Sequence, residues 1–201
     1  MEKDTTPTGT VLLFDQEEHS YRSEEGVRYD AVTFILEQEG YIDTSWFGEE
    51  AAFRGTWVHE AIKKINLGQA RFGEFTHGYW WKYIEAYMWF MIDTGFRPDW
   101  VERFVCDDGL RIAGCLDITG SIEGKTVLID IKTGDFADWH PTQLAAYGVL
   151  GRIEEYHRYT LHLKRNGRYT LKDRHKRLGS YQDYKWIDQW HMIAYHWRHV
   201  A

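Results

Sequence analysis

Two aspartates and a lysine, Asp117, Asp130 and Lys132, are the residues of this chain whose types and spacing could do chemistry together. Paired carboxylates can hold a hard divalent cation, and a nearby amine can stabilise charge that develops on a reacting group. The stretch that carries two of them is Thr126-Val127-Leu128-Ile129-Asp130-Ile131-Lys132-Thr133-Gly134. Its β-branched run predicts a strand over Lys125–Thr133, broken at Gly134. Alternation puts Leu128, Asp130 and Lys132 on one face and Ile129 and Ile131 on the other. An acid and an amine at the end of an apolar strand are costly unless paired, metal-bound or functional. On this stretch alone, a strand-end ion pair and a site are equally good readings.

The elements around it position further candidates. Leu110–Ile122 reads as the preceding strand, and Ala113, Cys115, Asp117 and Thr119 share one of its faces. Trp100–Cys106 reads as the strand before that, with turns at Asp108-Gly109 and Glu123-Gly124. A two-residue loop at Asp108-Gly109 sets Cys106 opposite Arg111 and Cys115 opposite Glu102, which puts Glu102 on the Asp117 face. Upstream, Ala51, Gly55, Val58, Ile62 and Ile65 form a helical stripe over Glu49–Asn66, with His59 at its border. Taken alone, such a histidine is an ordinary hydrogen-bonded helix residue. Gly55 in that helix invites close approach of a backbone or ligand. Downstream, Trp139-His140-Pro141 starts a helix in which Gln143 and Tyr147 share a face.

The remaining elements are a β-hairpin or meander over residues 11–29, a short helix over Ala31–Glu39 and an aromatic helix over Tyr79–Thr94. Strands over Tyr156–Lys164 and Arg168–Lys172 turn at Asn166-Gly167, and a last helix runs over Gln182–Arg198. The aromatic helix reads as core packing before base stacking. No repeat or linker interrupts this order. One domain over 1–201 is expected: a β-hairpin and helix extension (1–48), a core (49–163), and a basic hairpin with the C-terminal helix (164–201).

Composition excludes several classes. Ten Trp and 43% hydrophobic residues argue against disorder. No apolar run is long enough for a membrane span and no signal-like segment opens the chain, so no membrane partner and a cytoplasmic location are expected. Two cysteines make neither a disulfide framework nor a zinc or iron–sulfur set. The net charge of −7 argues against a uniformly basic nucleic-acid binder. The charge is uneven, however: residues 1–60 hold 14 acids against 4 bases. Lys164, Arg165, Arg168, Lys172, Arg174, Lys176 and Arg177 are opposed within their stretch only by Asp173. That stretch reads equally as a phosphate-contacting surface or as a solvated hairpin and loop. His191, His196 and His199 do not fall on one tight helical face and read as surface or packing residues.

Taken in order, Arg54-Gly55-Thr56-Trp57-Val58-His59-Glu60-Ala61-Ile62, Gly114-Cys115-Leu116-Asp117, Asp130-Ile131-Lys132-Thr133-Gly134 and Gln143-Leu144-Ala145-Ala146-Tyr147 resemble the motifs of the PD-(D/E)xK nucleases. Within that superfamily they look most like the RecB-like, phage-type exonuclease branch, over roughly residues 54–147. The resemblance implies an α/β, restriction-endonuclease-like core: a mixed central β-sheet flanked by helices, here with a small N-terminal β-hairpin extension. It implies Mg2+ or Mn2+ held by His59, Asp117, Asp130 and the backbone carbonyl of Ile131. Asp117, Asp130 and Lys132 would be catalytic, and Gln143 and Tyr147 would position the substrate strand and the lysine. Glu102 corresponds to an acidic position of some relatives, a candidate support for the ligands or for a second metal. Several relatives carry four cysteines for an iron–sulfur cluster, which two cysteines cannot supply. No nucleotide cofactor is expected, because no Gly-x-x-x-x-Gly-Lys-Ser/Thr stretch is present.

The implied function is metal-dependent hydrolysis of DNA phosphodiester bonds, by an exonuclease of recombination, repair or phage DNA processing. Its substrate would be single- or double-stranded DNA with a free end, met by Lys164, Arg165, Arg168, Arg174, Lys176 and Arg177. A recombinase, single-strand-binding protein or helicase would be a separate chain. Two alternatives stay open: a non-catalytic nucleic-acid-binding protein that keeps the fold, and an endonuclease on the same core.

Overall fold

Short apolar alternations at the N-terminus pair with one another before the long helices begin. β1 (Glu2–Thr5), β2 (Val11–Asp15), β3 (Ser20–Ser23) and β4 (Arg28–Ala31) form an antiparallel series, followed by α1 (Val32–Gln38). Next come α2 (Glu49–Asn66), a 3-10 turn (Phe72–Phe75) and α3 (Trp81–Thr94), which Gly95 closes in the left-handed conformation. β5 (Arg97–Asp107), β6 (Ile112–Ile122) and β7 (Lys125–Lys132) are antiparallel neighbours. The chain ends with α4 (His140–Leu150), β8 (His157–Leu163), β9 (Tyr169–Asp173) and α5 (Tyr181–His199). This computed structural model describes residues 1–15, 18, 20–43, 48–173 and 181–199, with the side chains of 181–183 excepted.

The result is an α/β architecture with a mixed central sheet flanked by helices. β4 runs parallel to β6, and β7 runs parallel to β8, while the other pairs are antiparallel. The N-terminal strands therefore do more than decorate the core. Asp30 and Ala31 pair with Ile112 and Ala113, which joins the extension to the central sheet.

Alternation along β7 divides the core into two layers. Val127, Ile129 and Ile131 pack with Val58 and Ile62 of α2 and with Tyr87 and Phe90 of α3. Leu128 points the other way, against Ile35 of α1, Leu144 of α4 and Trp190 of α5. Both faces are covered, so the strand reads as a near-continuous apolar run broken only at its Asp130-Ile131-Lys132 end. No helix among the described residues is long and apolar enough to cross a membrane.

The two turns of the β5–β6–β7 meander behave differently. Ile122 pairs with Lys125, and Glu123 and Gly124 both take positive φ (49° and 77°), the two-residue loop expected there. The β5–β6 loop is longer than two residues. Asp107 pairs with Ile112, and the positive φ falls on Arg111 rather than Gly109. Tertiary contacts fix it: Asp107 Oδ1 accepts from the Leu110 amide, Asp108 accepts from Tyr29 and Thr10, and the Arg111 carbonyl accepts from Asp30 N. The pairing moves by two residues, so Phe104, not Glu102, stands opposite Cys115. An even shift keeps the face, and Glu102 remains with Asp117.

Candidate functional site

The β6–β7 ladder ends at Ile118 with Ile129, one residue before Asp117 and Asp130 would meet. Beyond that point β7 leaves β6 and pairs only with β8, through Asp130 with Thr160, Ile131 with Leu161 and Lys132 with His162. The Asp117 carboxylate closes the opening, accepting the Ile131 amide through Oδ2 at 2.6 Å. The site is a fork between two strands.

β5 supplies the third carboxylate. Val101 pairs with Ile118 and Arg103 with Leu116, which leaves Glu102 facing Asp117 with its backbone at φ 50°. A positive φ at a non-glycine residue is uncommon and is held here by the flanking ladder. His59 reaches the same point from α2. Its Nδ1 lies 3.3 Å from Glu102 Oε1 and 3.5 Å from Asp117 Oδ1, and its Nε2 lies 3.1 Å from the Ile131 carbonyl oxygen. One ligand atom from each of His59, Glu102 and Asp117 falls within 4.8 Å of the others.

Behind the fork lies a second, chained group. Lys132 Nζ is 2.9 Å from Asp130 Oδ1 and donates to Gln143 Oε1 at 2.9 Å; Gln143 Nε2 in turn donates to the Tyr147 hydroxyl at 2.9 Å. Gln143 and Tyr147 sit one turn apart on α4, so one face of the helix holds the lysine in place. Gly114 makes room for that helix: a Cβ there would come within 2.6 Å of the Tyr147 ring. Asp130 is only 2% exposed, and its Oδ2 has no hydrogen-bond partner among the described residues.

Burial and crowding set the protonation states. Burial first, then the Asp130 and Glu102 charges, push the Asp117 carboxyl up to about 7 despite the attraction of His59. Burial opposes charge on His59, yet Asp117 and Glu102 outweigh it and raise the imidazole to about 9. An imidazolium with a donor on both nitrogens suits its neighbours, carboxylates on one side and a carbonyl on the other. Burial, with Glu102 and Asp117 nearby, keeps the Cys115 thiol well above its ordinary range, and its Sγ lies 3.4 Å from Glu102 Oε2. Both cysteines are free.

Three carboxylates, a carbonyl and an imidazole form a donor set suited to a hard cation. His59 turns Nδ1 to the Glu102 and Asp117 carboxylates and Nε2 to the Ile131 carbonyl, so its ring can offer one nitrogen to an ion on either side. The fork brings together His59, Asp117, Glu102 and the Ile131 carbonyl. Asp130 stands deeper and is tied to Lys132.

Of the basic residues read from sequence, Lys164 and Arg165 line a cavity beside Thr133 and Gly134, and Arg168 is exposed outside it. Arg174, Lys176 and Arg177 lie outside the described residues. His196 meets Glu39 and His199 meets the Tyr195 carbonyl, two separate contacts. Gly55 meets only Thr133 Oγ1, at 3.9 Å, so no close backbone approach explains it.

Sequence reasoning gave no role to Arg54 or Trp139. Arg54 Nε donates to Thr133 Oγ1 at 3.4 Å, and Lys132 Nζ lies 5.2 Å from the Trp139 ring centre. The place of Arg54 on His59's own helix, and of Trp139 at the Pro141 helix start, was the available signal. Compared with models of known protein families and with curated proteins, the chain has no match.

Proposed function

We propose that this chain is a metal-dependent nuclease of the PD-(D/E)xK type with a restriction-endonuclease-like core, hydrolysing DNA phosphodiester bonds from a free end. The observation that carries the reading is the fork itself. It gathers His59, Glu102 and Asp117 around one point, with the Asp130–Lys132–Gln143–Tyr147 chain against it. A plain strand-end ion pair needs neither the splayed strands nor the extra carboxylates.

Asp117 and one nitrogen of His59, with the Ile131 carbonyl or Glu102 on the side that nitrogen faces, would hold Mg2+ or Mn2+, with the unpartnered Asp130 Oδ2 turned to the same purpose. The bound ion would polarise the phosphate and lower the pKa of a coordinated water. Lys132 supplies a fixed cation for the charge that develops on phosphorus-bound oxygen. Gln143 and Tyr147 hold that cation at one position, so little reorganisation is needed at the moment of reaction. Asp130 orients the lysine from its other side.

End-labelled single and double strands, incubated with Mn2+ or Mg2+ and with chelator, test the reading. Cleavage that requires the metal and is lost in Asp117→Ala, Asp130→Ala and Lys132→Ala is expected. Cleavage retained in all three purified variants would sink it. Salt-dependent DNA binding without metal-dependent cleavage would favour a binding protein that keeps the fold. Cutting within a closed circle would favour an endonuclease.

A further inference from the structure

The fork is not the only polar concavity on this face of the molecule. One residue past Lys132, Thr133 and Gly134 form the rim of a cavity of about 530 Å3 between α2, α3 and the β8–β9 hairpin. Arg54, Lys164, Arg165 and Lys172 line it against a single acid, Asp135. None of the four cations forms an ion pair among the described residues. In a chain of net charge −7 this is a concentrated positive field, and it stands next to the fork.

Three of the four cations lie against aromatic rings rather than acids. Arg165 donates to the Tyr79 hydroxyl at 3.1 Å, with its guanidinium carbon 5.6 Å from that ring's centre. Lys172 Nζ lies 4.1 Å over Phe136, and the Arg54 guanidinium lies 5.7 Å from the centre of Tyr83. Tyr79 is 71% exposed, because α3 begins at Trp81 and leaves it outside the core. The β8–β9 hairpin that carries Lys164 and Arg165 is fixed by two turn hydrogen bonds, Lys164 N to Arg168 O and Gly167 N to Lys164 O.

From this geometry we infer that the cavity and its Tyr79 rim seat a single strand of nucleic acid running into the fork. The inference rests on the nuclease reading of the adjoining site and names its substrate class. Cations alone would attract any polynucleotide. Exposed rings distinguish the forms: bases of a single strand offer free faces for stacking, whereas those of a duplex are already stacked on one another. The cavity is also of the size that encloses a small guest, within roughly 300–1,000 Å3, and suits a nucleotide better than a rod-like duplex. Arg54 joins it to the fork through Thr133 Oγ1.

Fluorescence anisotropy with a short dye-labelled oligothymidine, an oligouridine and a blunt hairpin duplex, in Ca2+ and in chelator, tests this. Both single strands are expected to bind tighter than the duplex, and their ratio separates DNA from RNA preference. Tyr79→Ala should weaken single-strand binding about 5- to 100-fold while leaving the melting temperature in place. The double variant Arg165→Glu/Lys172→Glu should lower the slope of log affinity against log salt by about 1.4. Equal or tighter duplex binding, or binding indifferent to both variants, overturns the inference. The two readings fail separately. Metal-dependent cleavage with strand binding indifferent to Tyr79 and Arg165 leaves the nuclease without this track. Tyr79-dependent binding without cleavage leaves the track without the nuclease.

Discussion

Asp117→Asn should make the metal-free protein more stable, not less. Asn keeps the oxygen that accepts from the Ile131 amide, so the closure of the fork is retained. What it removes is a carboxylate that burial, Asp130 and Glu102 hold at about 7 instead of 3.8. That displacement converts to a native-state cost of about 4 kcal/mol once the group is fully ionised. That value already contains the attraction of His59; what cuts the net gain to about 2 kcal/mol is the Asn amide, which turns a donor in place of Oδ1 toward the protonated His59 Nδ1. For a chain of this size the melting midpoint should rise by about 4–8 °C. The sign with pH follows from linkage. The native carboxyl titrates above the unfolded one, so the cost is absent below about pH 4, grows through about pH 7 and is complete near pH 8. Thermal melts in chelator near pH 8 and near pH 5 should show a large gain at the first and a small one at the second. With saturating Mn2+ the order should reverse, because the wild type gains the linkage energy of the ion and the variant does not. A lower midpoint for the variant in chelator near pH 8, or a gain that ignores pH, would refute the account of a carboxylate held at a cost.

Three further outcomes follow from the same geometry. Lys132→Met leaves Asp130, 2% exposed, without its cation and should cost about 2–3 kcal/mol in chemical denaturation; Asp130→Asn in the same chain should recover most of it. His59 is held protonated to about 9, so Mn2+ binding near pH 7.5 should release about one proton. Calorimetry in buffers of different ionisation enthalpy measures this, and binding without proton release contradicts the assignment of His59 as a ligand. Gly114→Ala drives a methyl to within 2.6 Å of the Tyr147 ring and should cost about 1–3 kcal/mol. Adding Tyr147→Leu should restore stability but not any activity that depends on the Gln143 position.

How much of this could be read from sequence depends on which interactions fix each feature. Periodicity alone located α2 to the residue at both ends, because Val58 and Ile62 bury one clear stripe. The Glu123-Gly124 turn was legible because a two-residue loop demands positive φ at both positions, and the chain supplies Gly at one of them. Asp108-Gly109 carries the same signal and misleads, since Tyr29, Thr10 and Asp30 recruit that loop to the N-terminal strands. No local rule contains a contact made across the sheet. Glu102 survived the error because the register moved by an even number of residues.

The deeper illegibility lies in where the ladder stops. Alternation predicts which face Asp117 and Asp130 occupy, and simple pairing would set them opposite each other as two like charges in a closed sheet. The chain avoids this by exchanging one backbone pairing for the bond from Ile131 N to the Asp117 carboxylate, and by giving Asp130 to Lys132. The same exchange aims the Ile131 carbonyl at His59 and frees the edge of β6, which β4 takes up at Ile112 and Ala113 while the Tyr147 ring packs over Gly114. Acids at adjacent strand ends thus determine the fork as much as the fork positions the acids. A sequence reading that treats the strands as given and the acids as ornaments on them inverts that dependence: it names Asp117, Asp130 and Glu102 but not the fork that sets Glu102 and Asp117 beside His59 and ties Asp130 to Lys132.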